Sequence, residues 1–131
     1  MLVHLDTNVL IRGLPGNSSL SEGDTTQISS IVYAEFLEGL NSSDPGIVVA
    51  TQKQVSALDD LYRGGVPFDG TTARLYQLIS GVTLRSGKSS RRRRIDLMIA
   101  ATAIQHSAAL ATYNPQDFAG LGDALQVVSL S

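Results

Sequence analysis

Leu2-Val3-His4-Leu5 is an apolar run that stops abruptly at a carboxylate, Asp6, with Thr7 and Asn8 behind it. No other feature constrains the fold as strongly. The run is too short for a helix, and it passes directly into Val9-Leu10-Ile11, which leaves room for one or two helical turns. An apolar run that breaks into a polar cluster and then a helix reads as a buried parallel strand. The cluster then sits at the strand's carboxyl end, where open α/β sheets bind ligands. Asp6 is therefore the first candidate for chemistry.

The rest of the chain continues the alternation. Gly13 to Ser19 is a loop by its Gly, Pro, Asn and Ser content. Thr25 to Ile28 is a weak strand. Ser29-Ser30 offers an N-cap to a helix over Ile31 to Glu38. Val32, Phe36 and Leu40 are spaced as its core stripe, with Glu35 off that stripe. Asp44-Pro45 reads as an N-cap with proline at the first helical position, opening a helix to about Tyr62 that ends at Gly64-Gly65. Val66-Pro67-Phe68 is a candidate edge strand, and Asp69 to Thr72 starts another helix. Ile95 to Ala108 reads as a helix so rich in apolar and small residues that burial on most sides is expected. Ala109 to Thr112 and Gln126 to Leu130 are the last strands. Strands alternating with helices imply an α/β fold with a mainly parallel sheet. No repeat or second domain appears, so residues 1–131 are read as one domain.

A chain of 131 residues with 43% hydrophobic content suits a single core. No apolar run is long enough to span a membrane. No basic region precedes the first apolar run, so no signal peptide is read and the expected location is the cytoplasm. The absence of cysteine excludes disulfides and thiolate metal sites. Charge is uneven: residues 1–84 carry four Lys/Arg and nine Asp/Glu, residues 85–131 six and three. The six basic residues, Arg85, Lys88 and Arg91 to Arg94, fall within ten positions. One dense basic patch on an acidic protein suggests an anionic partner met at one place.

Four acids stand where packing does not call for them. Asp6 ends the first strand, Glu35 lies in a largely apolar helix, Asp96 opens the most apolar helix, and Asp117 follows the strand at Leu110. Positions after parallel strands and in the first turns of the following helices share one sheet edge, so these acids can converge. Converging carboxylates repel and raise one another's pKa values. A hard divalent cation with oxygen preference, Mg²⁺ or Mn²⁺, removes that cost. Such an ion polarises phosphoryl oxygens and supplies a hydroxide nucleophile, so the implied chemistry is phosphodiester hydrolysis. Each acid also has a simpler role: Asp6 as a helix cap, Asp96 as a favourable charge at a helix N-terminus, Glu35 facing solvent, Asp117 in a turn capped by Asn114.

Four segments carry a family resemblance: Leu5-Asp6-Thr7-Asn8-Val9-Leu10, Ser29 to Phe36, Arg94 to Ala103, and Ala111 to Phe118. In this order they resemble the PIN-domain ribonucleases of the VapC toxin family. The resemblance implies a three-layer α/β/α domain with a mainly parallel central sheet. It implies Mg²⁺- or Mn²⁺-dependent RNA cleavage, a homodimer, and neutralisation by a VapB-type antitoxin. Asp6, Glu35 and Asp96 carry over as metal-site acids. Asn114 cannot add charge, so Asp117 is the better fourth acid.

Thr7, Asn8, Thr112 and Asn114 are candidates to orient metal-bound water from behind the acids. Arg91, Arg92, Arg93 and Arg94 are candidates for RNA phosphates, since arginine binds phosphate bidentately; a solvated loop is the simpler reading. His4 reads as a packed or edge residue of the first strand and His106 as a helix-end residue, neither catalytic. Two other readings compete. A non-catalytic PIN-like module that binds RNA or a partner protein is separated by a metal titration. A phosphatase with Asp6 as nucleophile expects a second Asp two positions on, where this chain has Asn8.

Overall fold

Two strands without a polar face form the middle of the sheet. β1 (Leu2–Leu5) and β3 (Ala109–Thr112) are buried along nearly their whole length, as strands covered on both faces must be. They pair in parallel, with Val3, His4 and Leu5 opposite Ala109, Leu110 and Ala111. The short β2 (Thr25–Gln27) and β4 (Val127–Ser129) flank them, giving a four-stranded, all-parallel sheet in the order β2-β1-β3-β4. The computed structural model describes residues 1–16, 20, 22–85, 87 and 93–130.

The helices are α1 (Thr7–Arg12), α2 (Ser30–Leu37), α3 (Pro45–Tyr62), α4 (Gly70–Arg85) and α5 (Arg94–Gln105). The crossover from β1 runs to one side of the sheet, and the crossover from β2 runs back past β1 to β3. Right-handed connections in opposite directions put helices on both faces, which is the expected α/β/α arrangement. The reversal also opens a crevice between the carboxyl ends of β1 and β3, where ligands bind in such sheets. Asp6 and Thr112 stand at its two sides.

The caps fall where the sequence places them. Ser29 Oγ accepts from the Val32 N–H at 3.0 Å, and Asp44 accepts from the Gly46 N–H at 2.8 Å with Pro45 at the first helical position. α5 supplies much of the core through Leu97, Ile99, Ala100, Ala101 and Ala103. It ends earlier than its composition suggests. Ser107 turns the chain with a left-handed φ of 53°, and the Ala108 N–H returns to the Ala103 carbonyl at 2.9 Å, the usual closure of a helix C-terminus.

Two expectations are corrected. Leu40 is not a core residue: it lies in a 3₁₀ turn, Glu38–Asn41, and is 38% exposed. Three residues per turn carry it off the stripe of Val32 and Phe36. The edge strand at residues 66–68 shrinks to one parallel bridge between Ser29 and Val66, because Pro67 has no N–H to extend the ladder. That bridge still anchors the entry to α2, with Ser30 N–H on the Val66 carbonyl and Val66 N–H on the Ile28 carbonyl, both at 2.8 Å. Gly65 makes the approach feasible: its φ is +84°, and a Cβ there would lie 2.7 Å from the Ser29 carbonyl.

His4 is fully buried, with Nδ1 2.9 Å from Gln27 Oε1 and, among the described residues, no partner for Nε2. Burial pushes its pKa down to about 4, so it is a neutral packing residue, as expected. No helix among the described residues is long and apolar enough to cross a membrane.

Candidate active site

The strand-end cluster is built around Asp6. It is the N-cap of α1, and its Oδ1 accepts from the Thr7 N–H at 2.8 Å. Its Oδ2 accepts from the Thr112 hydroxyl at 2.7 Å and from the Asn8 amide at 3.3 Å. Asn8 also donates to Thr112 Oγ1 at 3.3 Å and accepts from the Tyr113 N–H at 3.2 Å. The Asn114 N–H donates to Thr112 Oγ1 at 3.0 Å. The ends of β1 and β3 are thus tied together through side chains, and the buried Asp6 carboxylate is held in one orientation. The cap role and the site role of Asp6 coexist. Asn8, the residue that a phosphatase would need as Asp, is spent bracing Asp6.

Glu35 enters from α2, which the Ser29 cap and the Val66 bridge fix in place. Its Oε1 accepts from the Thr7 hydroxyl at 2.6 Å. Thr7 therefore holds two acids at once, Asp6 by its N–H and Glu35 by its hydroxyl. Asp96 lies in the first turn of α5, and Asp117 in the first turn of the 3₁₀ segment Pro115–Ala124. Asn114 caps that segment without a side-chain hydrogen bond and is exposed; it joins the network through its backbone alone.

The electrostatics bring the four acids together. The Asp96 pKa is pushed up to about 6, first by burial, then by the charges of Asp117, Asp6 and Glu35, with Arg93 pulling the other way. Burial and the charge of Asp117 raise Asp6 against the hydrogen bonds of Thr112, Thr7 and Asn8. Burial and the charge of Asp6 raise Glu35 against its bond from Thr7. Carboxylates from four separate segments thus lie within one another's electrostatic reach at the strand ends. They also stand apart: among the described residues, no three acidic or imidazole groups are spaced to enclose an ion. The donor set is all oxygen, which fits Mg²⁺ or Mn²⁺ and not a softer metal.

Of the four arginines, Arg93 is half-buried beside the acids, where its Nη1 donates to the Asp117 carbonyl at 2.8 Å. Arg94 is exposed at the start of α5. Arg91 and Arg92 lie outside the described residues. Arg12 and Tyr113 carry no signal in the sequence, because they pair across most of the chain. The Arg12 guanidinium stacks 3.9 Å over the Tyr113 ring. Beside Glu35 an apolar hollow of about 280 Å³ opens among Ile11, Phe36, Ile47, Ala50 and Gln54.

A family model for the PIN domain matches residues 3–123. Among solved structures, the chain is similar to a member of the VapBC family of toxin–antitoxin systems, VapBC-5, from Mycobacterium tuberculosis. That match has a TM-score of 0.80 and 23% identity and covers 98% of both chains. Similarity to FitAcB from Neisseria gonorrhoeae has a TM-score of 0.73 at 28% identity, over 98% of this chain and 97% of that one. VapBC2 from Rickettsia felis, bound to a DNA fragment from their promoter, matches with a TM-score of 0.78 and 22% identity over 100% of each chain. No curated protein gives a significant match.

Proposed function

The chain belongs to the PIN domain family, and on that premise we propose that it is a Mg²⁺- or Mn²⁺-dependent endoribonuclease, the toxin of a VapBC-type toxin–antitoxin pair. PIN domains are in general nucleases. The observation that carries the reading is the gathering of Asp6 at the end of β1, Glu35 on the Thr7 hydroxyl, and Asp96 and Asp117 in the first turns of their helices, where burial first and then the charges of Asp117, Asp6 and Glu35 raise Asp96. Acids gathered in a sheet-end crevice, with Asp6, Glu35 and Asp96 each raised by burial and by neighbouring charge, are costly unless they serve a cation.

Asp6, Glu35, Asp96 and Asp117 would hold the ion. Bound there, Mg²⁺ or Mn²⁺ supplies Lewis-acid polarisation of a phosphoryl oxygen and a water nucleophile at neutral pH. The chain's own residues set the geometry. Thr112, Asn8 and the Thr7 N–H fix the Asp6 carboxylate, and the Thr7 hydroxyl fixes Glu35. Such outer partners keep ligands oriented and basic. Arg93, anchored on the Asp117 carbonyl, keeps its remaining N–H donors for an RNA phosphate. Arg91, Arg92 and Arg94 extend the same positive run.

A VapB-type antitoxin fits the apolar hollow beside Glu35, where Ile11 is 66% and Ile47 48% exposed. An amphipathic helix laid there would cover the crevice from one side. Leu78 and Val82, one turn apart on α4 and both exposed, offer a stripe for a second copy of the chain, in keeping with a homodimer. Each copy acts as a single domain, in the cytoplasm. A second reading, a non-catalytic PIN-like module that binds RNA or a partner protein, draws on the wide spacing of the acids.

Cleavage of end-labelled single-stranded RNA separates the two. The nuclease cuts internally with Mg²⁺ or Mn²⁺, stops with excess chelator, and loses activity in Asp6→Asn and Asp96→Asn. Binding of RNA without metal-dependent cleavage would support the module instead.

A further inference from the structure

We infer that Arg12, stacked on Tyr113, is a phosphate-binding residue for the RNA backbone beside the scissile position. This inference rests on the proposed nuclease function and names one of its substrate contacts. Asp6 is the N-cap of α1 and Arg12 its last residue, so Arg12 sits about 9 Å along the helix axis from Asp6. At that distance it meets a neighbouring phosphate and not the one being cut.

Three observations carry the assignment. First, the guanidinium is presented, not spent. Arg12 is exposed, and among the described residues no carboxylate lies within ion-pair distance of it. Second, it is held in place by its face. The guanidinium lies 3.9 Å over the Tyr113 ring. Stacking on an aromatic ring occupies the flat face and leaves the N–H edge free for bidentate contact with phosphate. Third, its platform belongs to the crevice. The Tyr113 N–H donates to Asn8 Oδ1 at 3.2 Å, and Asn8 braces Asp6. The Tyr113 hydroxyl donates to the Gly13 carbonyl just past α1, which pins the ring beneath Arg12. Residues 1–84 are strongly acidic overall, and the stacked arginine at this rim has, among the described residues, no carboxylate paired with it. An RNA backbone supplies the anion.

Tyr113 is then a positioning residue and Arg12 a substrate contact. The two make separate demands on variants. Arg12→Gln should raise KM for a fluorescein-labelled single-stranded RNA of mixed sequence about three- to tenfold and leave kcat within about twofold. It should flatten the salt dependence of KM by about 0.7 of a logarithmic unit, the value of one phosphate contact on a single strand. Tyr113→Phe keeps the ring and should keep the parent KM, whereas Tyr113→Leu should raise KM as Arg12→Gln does. The double variant should be no worse than Arg12→Gln alone, since both remove one contact. Arg12 is exposed, so its substitution leaves the fold intact, which a melting curve checks. If the parent cuts RNA while Arg12→Gln keeps its KM and salt slope, the inference is wrong and the nuclease reading stands. If the parent neither binds nor cuts RNA, both are wrong.

Discussion

Removing the charge of Asp96 should stabilise the metal-free protein. Its carboxyl lies at about 6 in the fold against an ordinary value of 3.8. At about 1.36 kcal/mol per pH unit, that displacement amounts to roughly 3 kcal/mol of burial and repulsion at neutral pH. Asp96 is only half-buried, and water screens part of this, leaving about 1–2 kcal/mol. A carboxyl raised in the fold contributes stability that is fully present below its unfolded value and is lost as pH rises through its folded value. The penalty therefore grows from about pH 4 and is complete above about pH 6. Asp96→Asn keeps the shape and removes the charge. In chelator at pH 7 the variant should melt about 5 °C above the parent, on the scale for a chain of this size, and the gap should close near pH 4. His4 tilts the parent curve the opposite way. Its pKa is lowered to about 4, so stability falls as pH drops from its unfolded value through that point. The difference between parent and variant cancels this contribution, whereas the parent curve alone does not. Thermal melts by circular dichroism across pH 4–8 provide the assay. An Asp96→Asn protein that melts at or below the parent temperature at pH 7 would refute the claim that the acids repel one another in this crevice.

Two further outcomes follow from the geometry. Asp117→Asn should lower ribonuclease activity roughly 100-fold and, by removing the strongest of the charges that raise Asp96, leave metal-free stability unchanged or slightly higher; full activity would remove Asp117 from the site. Gly65→Ala should destabilise by about 2 kcal/mol or more, since it combines a left-handed backbone with a clash against the Ser29 carbonyl, and unchanged denaturant unfolding would show that the bridge into α2 is dispensable.

The sequence shows the parts of the fold whose cause is local. The strand ending at Asp6, the Ser29 and Asp44 caps and the proline at residue 45 each act within a few residues, so they can be read before any folding. Leu40 misled because helical spacing continues on paper through Glu38–Asn41, while the backbone there tightens to a 3₁₀ turn. Residues 66–68 misled because strand-like composition says nothing of how many ladder bonds survive Pro67. At the site, the four acids were legible as outliers from packing. Their bracing was not: Thr7 serving both Asp6 and Glu35, and Thr112 tied to Asp6, arise from contacts between distant segments. Nor does sequence alone set Arg12 over Tyr113.

Asp6, Glu35, Asp96 and Asp117 together are expected to bind a divalent cation. Isothermal titration of Mn²⁺ into the parent and into Asp6→Asn, Glu35→Gln, Asp96→Asn and Asp117→Asn tests it without reference to any RNA. The account predicts a saturable binding heat in the parent that weakens at least tenfold in affinity in each variant, in the range for loss of a metal-site partner. A parent that takes up no Mn²⁺ at millimolar concentration, or binding left intact in Asp6→Asn and Asp96→Asn, would contradict it.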